Sequence, residues 1–159
     1  MEHINELLLE AWEELKRLEH IIYVSLKYTR TVDVIINAVT RLISIYDLII
    51  EAFLEKAKKE NLIDSLPKSP ALRANKLVEL YPNNTELGHY LSFYYFLKNV
   101  LKLPYLKREE FRRHVTLVVV LDKCTAALDI DNLTNCERFT KKFFYYSREQ
   151  IFGPKPEDF

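Results

Sequence analysis

Glycine is almost missing from this sequence: Gly88 and Gly153 are the only two among 159 residues. Walker loops and the GxGxxG turn of dinucleotide-binding folds need several closely spaced glycines, because backbone amides must approach a phosphate. The sequence therefore excludes nucleotide binding by a glycine-rich loop as such loops are usually built.

Cysteine is equally scarce, and Cys124 and Cys136 form no CxxC pair. The four histidines are far apart and include no HExxH pair: His3, His20, His89 and His114. With no metal-ligand spacing, we expect neither a metal nor a cofactor. A disulfide between the two cysteines stays open if the source is a hyperthermophile. The single Gln150 and the single Met1, beside many Lys, Glu, Ile and Tyr, are typical of a thermophile.

Net charge is absent as well, since 23 Lys and Arg residues balance 23 Asp and Glu residues. No global field would attract nucleic acid or an anionic membrane, so any RNA site must be a local patch. No apolar run reaches the roughly 18 residues of a membrane span, and no signal-peptide pattern is present. We expect a cytoplasmic protein with no membrane contact, folded as one domain over 1–159, with a loosely held tail at 154–159.

Apolar residues make up 48% of the chain, enough for a large core, and are densest between Val32 and Lys59. Only a narrow polar seam interrupts them, at spacings of three and four: Asn37, Thr40, Arg41, Ser44, Asp47, Glu51, Glu55 and Lys58. A helix that is apolar on almost every side must be surrounded by other helices. The sequence therefore predicts an all-α fold, an antiparallel up-and-down bundle of five to six helices with Val32–Lys59 as its buried scaffold.

Capping signals mark the other helices of the first half. An amphipathic helix runs from Ile4 and bends around Lys27 to Arg30, after which Thr31 can cap the scaffold helix. Ser69-Pro70 begins a short helix that ends near Leu80. Asn83 to Glu86 then has the spacing of a capping box and begins the next helix, which is rich in aromatic residues.

Two more helices are predicted in the second half. One starts at Lys107 and includes the valine-rich run Thr116 to Leu121, because a single strand would have no partner elsewhere in the chain. After a loop at 129–132, Thr134 to Glu137 fits a capping box and begins a last helix that ends at Gly153.

Basic and polar groups concentrate between Lys98 and His114, where six of seventeen residues are Lys or Arg. Cations for phosphate, an imidazole for proton transfer and an aromatic ring for a base are what an RNA site uses. The candidate residues are Lys98, Asn99, Tyr105, Arg112 and Arg113 for binding, and Arg108 and His114 for catalysis. A solvated surface, in which Glu109 and Glu110 neutralise nearby arginines, stays open as the alternative.

Leu97-Lys98-Asn99 leads through Tyr105 into a further predicted helix, after two long helices and a short proline-flanked one. This arrangement, over about Leu7 to Leu128, resembles the HEPN family of small prokaryotic helical proteins. The resemblance implies a helical bundle, homodimerisation and a nucleotidyltransferase partner protein. In active members it also implies metal-independent RNA cleavage by an arginine and a histidine four to six residues apart.

The chain departs from that family's motif in two ways. Lysine replaces the usual arginine at Lys98, and no histidine lies among residues 101–104, so Tyr105 would have to substitute for it. Arg108 and His114 do meet the spacing, with five residues between them. On one continuous helix, however, six positions are about 240° apart, so the two side chains would not converge within one subunit unless the helix starts after Arg108. A two-fold dimer could instead bring His114 toward the basic residues of the partner.

Three functional hypotheses follow from these residues. The first is a non-catalytic, HEPN-like homodimer that binds RNA, a nucleotide or a protein partner through 98–114. The second is a ribonuclease in which His114 moves a proton and Arg108 or Lys98 stabilises the phosphate. The third is a structural subunit whose aromatic helix, Tyr90 to Leu97, is a protein interface.

Overall fold

The computed structural model describes residues 1–154 and is mostly helical. Its helices are α1 (Glu2–His20), a π-helical turn (Ile21–Ser25), α2 (Leu26–Tyr28), α3 (Val32–Lys59), α4 (Pro70–Leu80), α5 (Thr85–Val100) and α6 (Ile130–Phe152). Three strands lie between α5 and α6: β1 (Tyr105–Arg108), β2 (Thr116–Val120) and β3 (Thr125–Leu128). None of the described helices has an apolar stretch long enough to cross a membrane. The tail predicted at 154–159 falls, from residue 155 onward, outside the described residues.

Helix α3 has the bounds that its sequence predicts. Thr31 precedes it in extended conformation, and the threonine side chain accepts a hydrogen bond from the Val34 amide at 3.4 Å. Ile35, Leu42 and Ile49 are fully buried along it, among other apolar residues on most of its sides. The prediction of a buried scaffold helix is confirmed, because a helix with so much apolar surface is stable only when other elements cover it.

Helices α1 and α3 lie antiparallel. His3 contacts Glu55 at 4.0 Å, and Glu14 contacts Arg41 at 3.0 Å, so residue numbers rise along one helix as they fall along the other. The two helices share the most extensive packing in the chain. Their antiparallel pairing follows from the short break at 29–31, which turns the chain back on itself.

Helix α6 runs parallel to α3 and antiparallel to α5. Lys56 donates to the Gln150 carbonyl at 2.9 Å, and Thr140 donates to the Tyr46 hydroxyl at 3.3 Å. Contacts between α5 and α6 run the opposite way: Asn84 with Tyr146, and Phe93 with Phe139. Helices α1, α3, α5 and α6 therefore alternate in direction along the chain, and α3 packs against each of the other three.

The prediction of an all-α chain is wrong between 105 and 128, where the chain forms a three-stranded antiparallel sheet in the order β1-β2-β3. Tyr105 lies opposite Val119 in the first pairing, and Leu117 lies opposite Leu128 in the second. The valine-rich run is thus the central strand, with β-branched side chains that suit a pleated surface. Its partners escaped prediction because strand pairing needs only backbone groups.

Two helix starts also differ from the predicted residues. Helix α6 begins at Ile130, because Asp129 and Asn132 form a capping box five residues before the one predicted at Thr134. The segment 129–132 is therefore not a loop. Helix α5 is capped by Asn84, whose side chain accepts from the Leu87 amide at 3.0 Å, one residue after the predicted start at Asn83.

The two cysteines, Cys124 and Cys136, are both free thiols. Cys136 is half-buried on α6, and this burial raises its pKa to about 11. The disulfide that the sequence left open is not formed.

Candidate functional site

The predicted functional stretch from Lys98 to His114 does not form a helix beyond Val100. It leaves α5, passes Pro104, forms β1 and ends in the turn that connects β1 to β2. The helix predicted from Lys107 is wrong because this segment pairs with β2, with Arg108 opposite Thr116. We call the turn at 109–115 the hairpin tip.

The hairpin tip is held against the start of α3. The Glu110 carboxylate accepts from the Val32 amide at 3.1 Å, which satisfies a helix N-terminal donor that would otherwise lack a partner. The Phe111 amide donates to the Arg30 carbonyl at 2.6 Å. The Lys107 ammonium lies 3.7 Å from the Glu110 carboxylate and adds an ion pair beside these two hydrogen bonds. The tip therefore has a fixed position relative to the α2–α3 break.

Two residues of the hairpin tip have left-handed backbone conformations. Glu109 has φ of 54° and Phe111 has φ of 66°. Side chains with a Cβ rarely adopt this region, and non-glycine residues there cost about 1 kcal/mol or more. Phe111 is also 78% exposed. The chain therefore tolerates strain in order to turn tightly at this point.

A cavity of about 300 Å³ lies beside the hairpin tip. It is bounded by the π-helical turn, the α2–α3 break, the tip and the start of α6. Its lining residues are Ile22, Tyr23, Lys27, Arg30, Arg113, His114, Asp129, Ile130 and Asp131. We call this the hairpin cavity. Its volume is at the lower end of those of ligand sites, about 300 to 1,000 Å³.

Three cations line the hairpin cavity against two carboxylates. No carboxylate among residues 1–154 lies within 4.0 Å of Arg30, Arg112 or Arg113. The Arg30 Nε is buried and has no hydrogen-bond partner in that part of the chain. Of the carboxylates, Asp129 is occupied as the cap of α6, accepting from the Asn132 amide at 2.8 Å. The arginines are thus available to an incoming anion.

Glu109 and Glu110 do not neutralise the arginines as the alternative interpretation expected. The two helical spacings on which that expectation rested do not exist, because the segment is a turn. Glu110 instead caps α3 and contacts Lys107. The cations of the tip therefore keep their charge unpaired within the described chain.

The structure brings together only part of the predicted set. Arg113 and His114 line the hairpin cavity, and Arg112 precedes them on the exposed tip. Arg108 is exposed at the end of β1 and Tyr105 at its beginning, and neither lines the cavity. Arg108 precedes the hairpin tip and His114 belongs to it. Because this segment is not a helix, the 240° separation expected for the two side chains does not apply.

Lys98 and Asn99 lie elsewhere, near the end of α5. The Lys98 Nζ lies 5.5 Å from the centroid of the Tyr94 ring. Asn99 is exposed, and its carbonyl accepts from the amides of Lys102 and Leu103, which close the helix end. Neither Lys98 nor Asn99 lines the hairpin cavity with His114.

Sequence reasoning missed seven of the nine lining residues, and five of those seven carry a polar or charged group: Tyr23, Lys27, Arg30, Asp129 and Asp131. Two of them, Lys27 and Arg30, stand at the predicted break after the first helix, and cations at a break between helices were the available signal. The π-helical turn had no signal, since its sequence, IIYVS, is compatible with an ordinary helix. Such turns are frequent at functional sites.

The polar seam of α3 is the other concentration of polar groups. Asp47 is half-buried, and the Tyr94 hydroxyl donates to it at 2.5 Å. Burial raises the pKa of Asp47, while the Tyr94 hydrogen bond and the charges of Lys98 and Arg73 act in the opposite direction. Within residues 1–154 no three His, Cys, Asp or Glu side chains are grouped as metal ligands would be. The seam holds helices together.

Two aromatic residues of α5 are packed inside the chain, and its other three are half-buried. Tyr90 and Tyr94 are buried, and the Tyr90 ring stacks on Phe143 of α6 at 4.8 Å between centroids. Burial is also the main cause that raises the pKa of Tyr90 to about 12. The rings of Tyr90 and Tyr94 therefore supply core contacts.

Comparison of the chain with family models, with curated proteins and with solved structures finds no match.

Proposed function

We propose that this protein binds single-stranded RNA and holds one nucleotide of the strand in the hairpin cavity. The observation that carries the proposal is the group of Arg30, Arg113 and His114 around one cavity, with both arginines free of carboxylates among the described residues. Arginine presents a planar fork of donors that matches phosphate oxygens. Arg112 on the exposed tip extends the same basic surface toward the neighbouring phosphate.

The remaining lining residues fit the other parts of a ribonucleotide. Tyr23 is 51% exposed and offers a ring on which a base can stack. Asp131 is exposed in the first turn of α6, and its carboxylate can accept from a ribose hydroxyl. A 2′-hydroxyl distinguishes RNA from DNA. The proposed ligand is therefore RNA rather than DNA. The proposed role is still the HEPN-like, non-catalytic one that the sequence predicted, but its site is the hairpin tip and not Lys98.

The test is fluorescence anisotropy of a labelled 12-nucleotide RNA and of DNA with the same sequence. We expect wild type to bind the RNA more tightly, and Arg113→Ala to weaken RNA binding by about fivefold, as for one charge contact of about 1 kcal/mol. Asp131→Ala should reduce the preference for RNA. Lys68→Ala is the charge-matched control, because Lys68 is exposed in the α3–α4 loop, beyond the other end of α3. Equal RNA affinity in Arg113→Ala and Lys68→Ala would contradict the proposal.

A second candidate function, RNA cleavage, is favoured by one observation: His114 shares the cavity with two arginines. An imidazole can transfer the proton while a guanidinium stabilises the charge on phosphorus-bound oxygens. The test is incubation of end-labelled RNA with wild type and His114→Ala between pH 5 and 8. Cleavage lost in His114→Ala would support this candidate. RNA left intact by wild type would exclude it and leave binding as the function.

A further inference from the structure

A second surface, unrelated to the hairpin cavity, lies on the outer side of α1 and α6. It is a groove of about 630 Å³ whose floor is formed by Leu9, Trp12, Phe144, Tyr145 and Phe152. We call it the tryptophan groove. Its rings pack closely, with Trp12 and Phe144 centroids 5.3 Å apart. The floor is thus a preformed apolar surface and needs no rearrangement to accept a partner.

The apolar floor is open to solvent. Leu9 is 57% exposed, Tyr145 is 42% exposed and Phe152 is 41% exposed. Every residue that lines the groove belongs to α1 or α6. Contiguous apolar surface of this kind commonly marks a site of protein interaction.

Two cationic side chains contact aromatic rings of the groove and have no carboxylate partner among the described residues. The Lys16 Nζ lies 4.8 Å from the centroid of the Trp12 ring, and the Arg148 Cζ lies 5.0 Å from that of Tyr145. Neither has a carboxylate within 4.0 Å among residues 1–154. Cation–π contacts hold both side chains in place, so an anionic group can pair with them at a smaller entropic cost.

We propose that the tryptophan groove binds an amphipathic, acidic segment of a partner protein. Leucine or phenylalanine side chains of that segment lie on the floor, and its Asp or Glu side chains pair with Lys16 and Arg148. Charge complementarity favours this occupant, because the two charged side chains that contact the rings of the groove among the described residues, Lys16 and Arg148, are positive. The mode corresponds to an amphipathic helix placed in an apolar groove.

The chain has a built-in reporter for this test. Trp12 is the only tryptophan and lies in the groove, so its emission responds to occupancy of that site. The probes are two synthetic 14-residue peptides with the same leucine and phenylalanine positions, one with glutamate and one with lysine at the polar positions. We expect the glutamate peptide to shift Trp12 emission saturably and to bind at least tenfold more tightly than the lysine peptide. The proposal would be overturned if both peptides shifted Trp12 emission with equal affinity, or if neither peptide shifted it.

Charge reversal in the groove sharpens the result. The Lys16→Glu, Arg148→Glu double variant should prefer the lysine peptide, because its cations have become anions. The matched control is Lys68→Glu, Lys142→Glu, which changes net charge equally at exposed positions outside the groove. Retained preference for the glutamate peptide in the first variant would contradict the proposal. The comparison of the two peptides on wild type stands by itself if that variant does not fold.

A second copy of this chain is the competing occupant. Without peptide, wild type and Leu9→Asp should have the same mass in light scattering, and Trp12 emission should be independent of protein concentration. A mass of two chains that falls to one in Leu9→Asp would assign the groove to self-association and overturn the proposal. This outcome is distinct from any RNA result, since the groove and the hairpin cavity share no residue.

Discussion

Helix α3 and the hairpin tip contain polar groups in opposite states. The polar seam of α3 is paired with other helices by four contacts: Arg41 with Glu14, Asp47 with Tyr94, Glu51 with Arg73, and Glu55 with His3. At the tip, Arg112 and Arg113 have no such partner among the described residues. Groups that already have partners stabilise the fold, whereas unpaired ones can bind a ligand. This difference assigns stability to α3 and binding to the tip.

The largest effect should come from the core of α3. Ile49→Ala should lower the free energy of unfolding by about 2–5 kcal/mol, because it leaves a cavity where a fully buried side chain was. The control is Leu106→Ala in β1, where the side chain is 61% exposed and the change should stay within about 0.5 kcal/mol. Urea denaturation measures both. Similar losses in the two variants would remove the distinction between scaffold and hairpin.

The next effect concerns a single pairing of the seam. Tyr94→Phe should lower the free energy of unfolding by about 1–3 kcal/mol, because the half-buried Asp47 loses its donor. Tyr95→Phe is a matched control, since Tyr95 donates to Asn75 in an exposed position at 2.6 Å. Thermal or urea unfolding of the two variants should separate them clearly. A loss in Tyr94→Phe no larger than in Tyr95→Phe would show that the seam contributes little to stability.

The same carboxyl should make stability depend on pH. Burial raises the pKa of Asp47 above its ordinary 3.8, so the folded chain keeps this proton at pH values where the unfolded chain has released it. The Asp47 contribution to the free energy of unfolding therefore falls as pH rises from about 3.8 through the higher folded-state pKa. Asp47→Asn should remove that fall, as urea unfolding from pH 4 to 7 would show. Parallel profiles for wild type and variant would contradict the assignment.

A smaller effect, of opposite sign, is expected at the hairpin tip. Phe111→Gly should raise the free energy of unfolding by about 0.5–1 kcal/mol, because glycine adopts a φ of 66° without steric strain. Leu106→Gly is the control and should lower the free energy of unfolding, because glycine within a strand is destabilising. Destabilisation by Phe111→Gly would mean that the phenyl ring contributes to the fold despite its exposure.

The scaffold was predictable from sequence because each of its signals is local. The apolar periodicity of α3, the Thr31 cap and the Ser69-Pro70 start each depend on neighbouring residues alone, and the structure confirms them. The predicted ends of α3 match the observed ends, because the Thr31 cap and the polar residues that flank the apolar run indicate the same bounds. Gly153, with φ of 84°, likewise ends α6 as predicted.

The sheet and the cavity were less predictable because they depend on contacts between distant segments. Strand β1 has no apolar alternation, since all four of its residues are exposed, so nothing in it indicated a partner for β2. Arg30 lines the cavity together with residues of the hairpin tip, which is held to the Arg30 carbonyl by Phe111, 81 positions further along the chain. Basic composition did point to Arg113 and His114, but could not place them beside a π-helical turn.

The most direct test of the central claim is RNA binding as a function of salt. We compare wild type, the Arg30→Ala, Arg113→Ala double variant, and the Lys68→Ala, Arg138→Ala double variant, which removes the same charge at exposed positions outside the cavity. The Arg30 substitution leaves its backbone bond to Phe111 in place. We predict an RNA affinity at least tenfold weaker in the cavity variant, with a log–log salt slope shallower by about 1.4 for two lost phosphate contacts. An affinity and a slope equal to those of the control variant would contradict the claim that the hairpin cavity binds RNA.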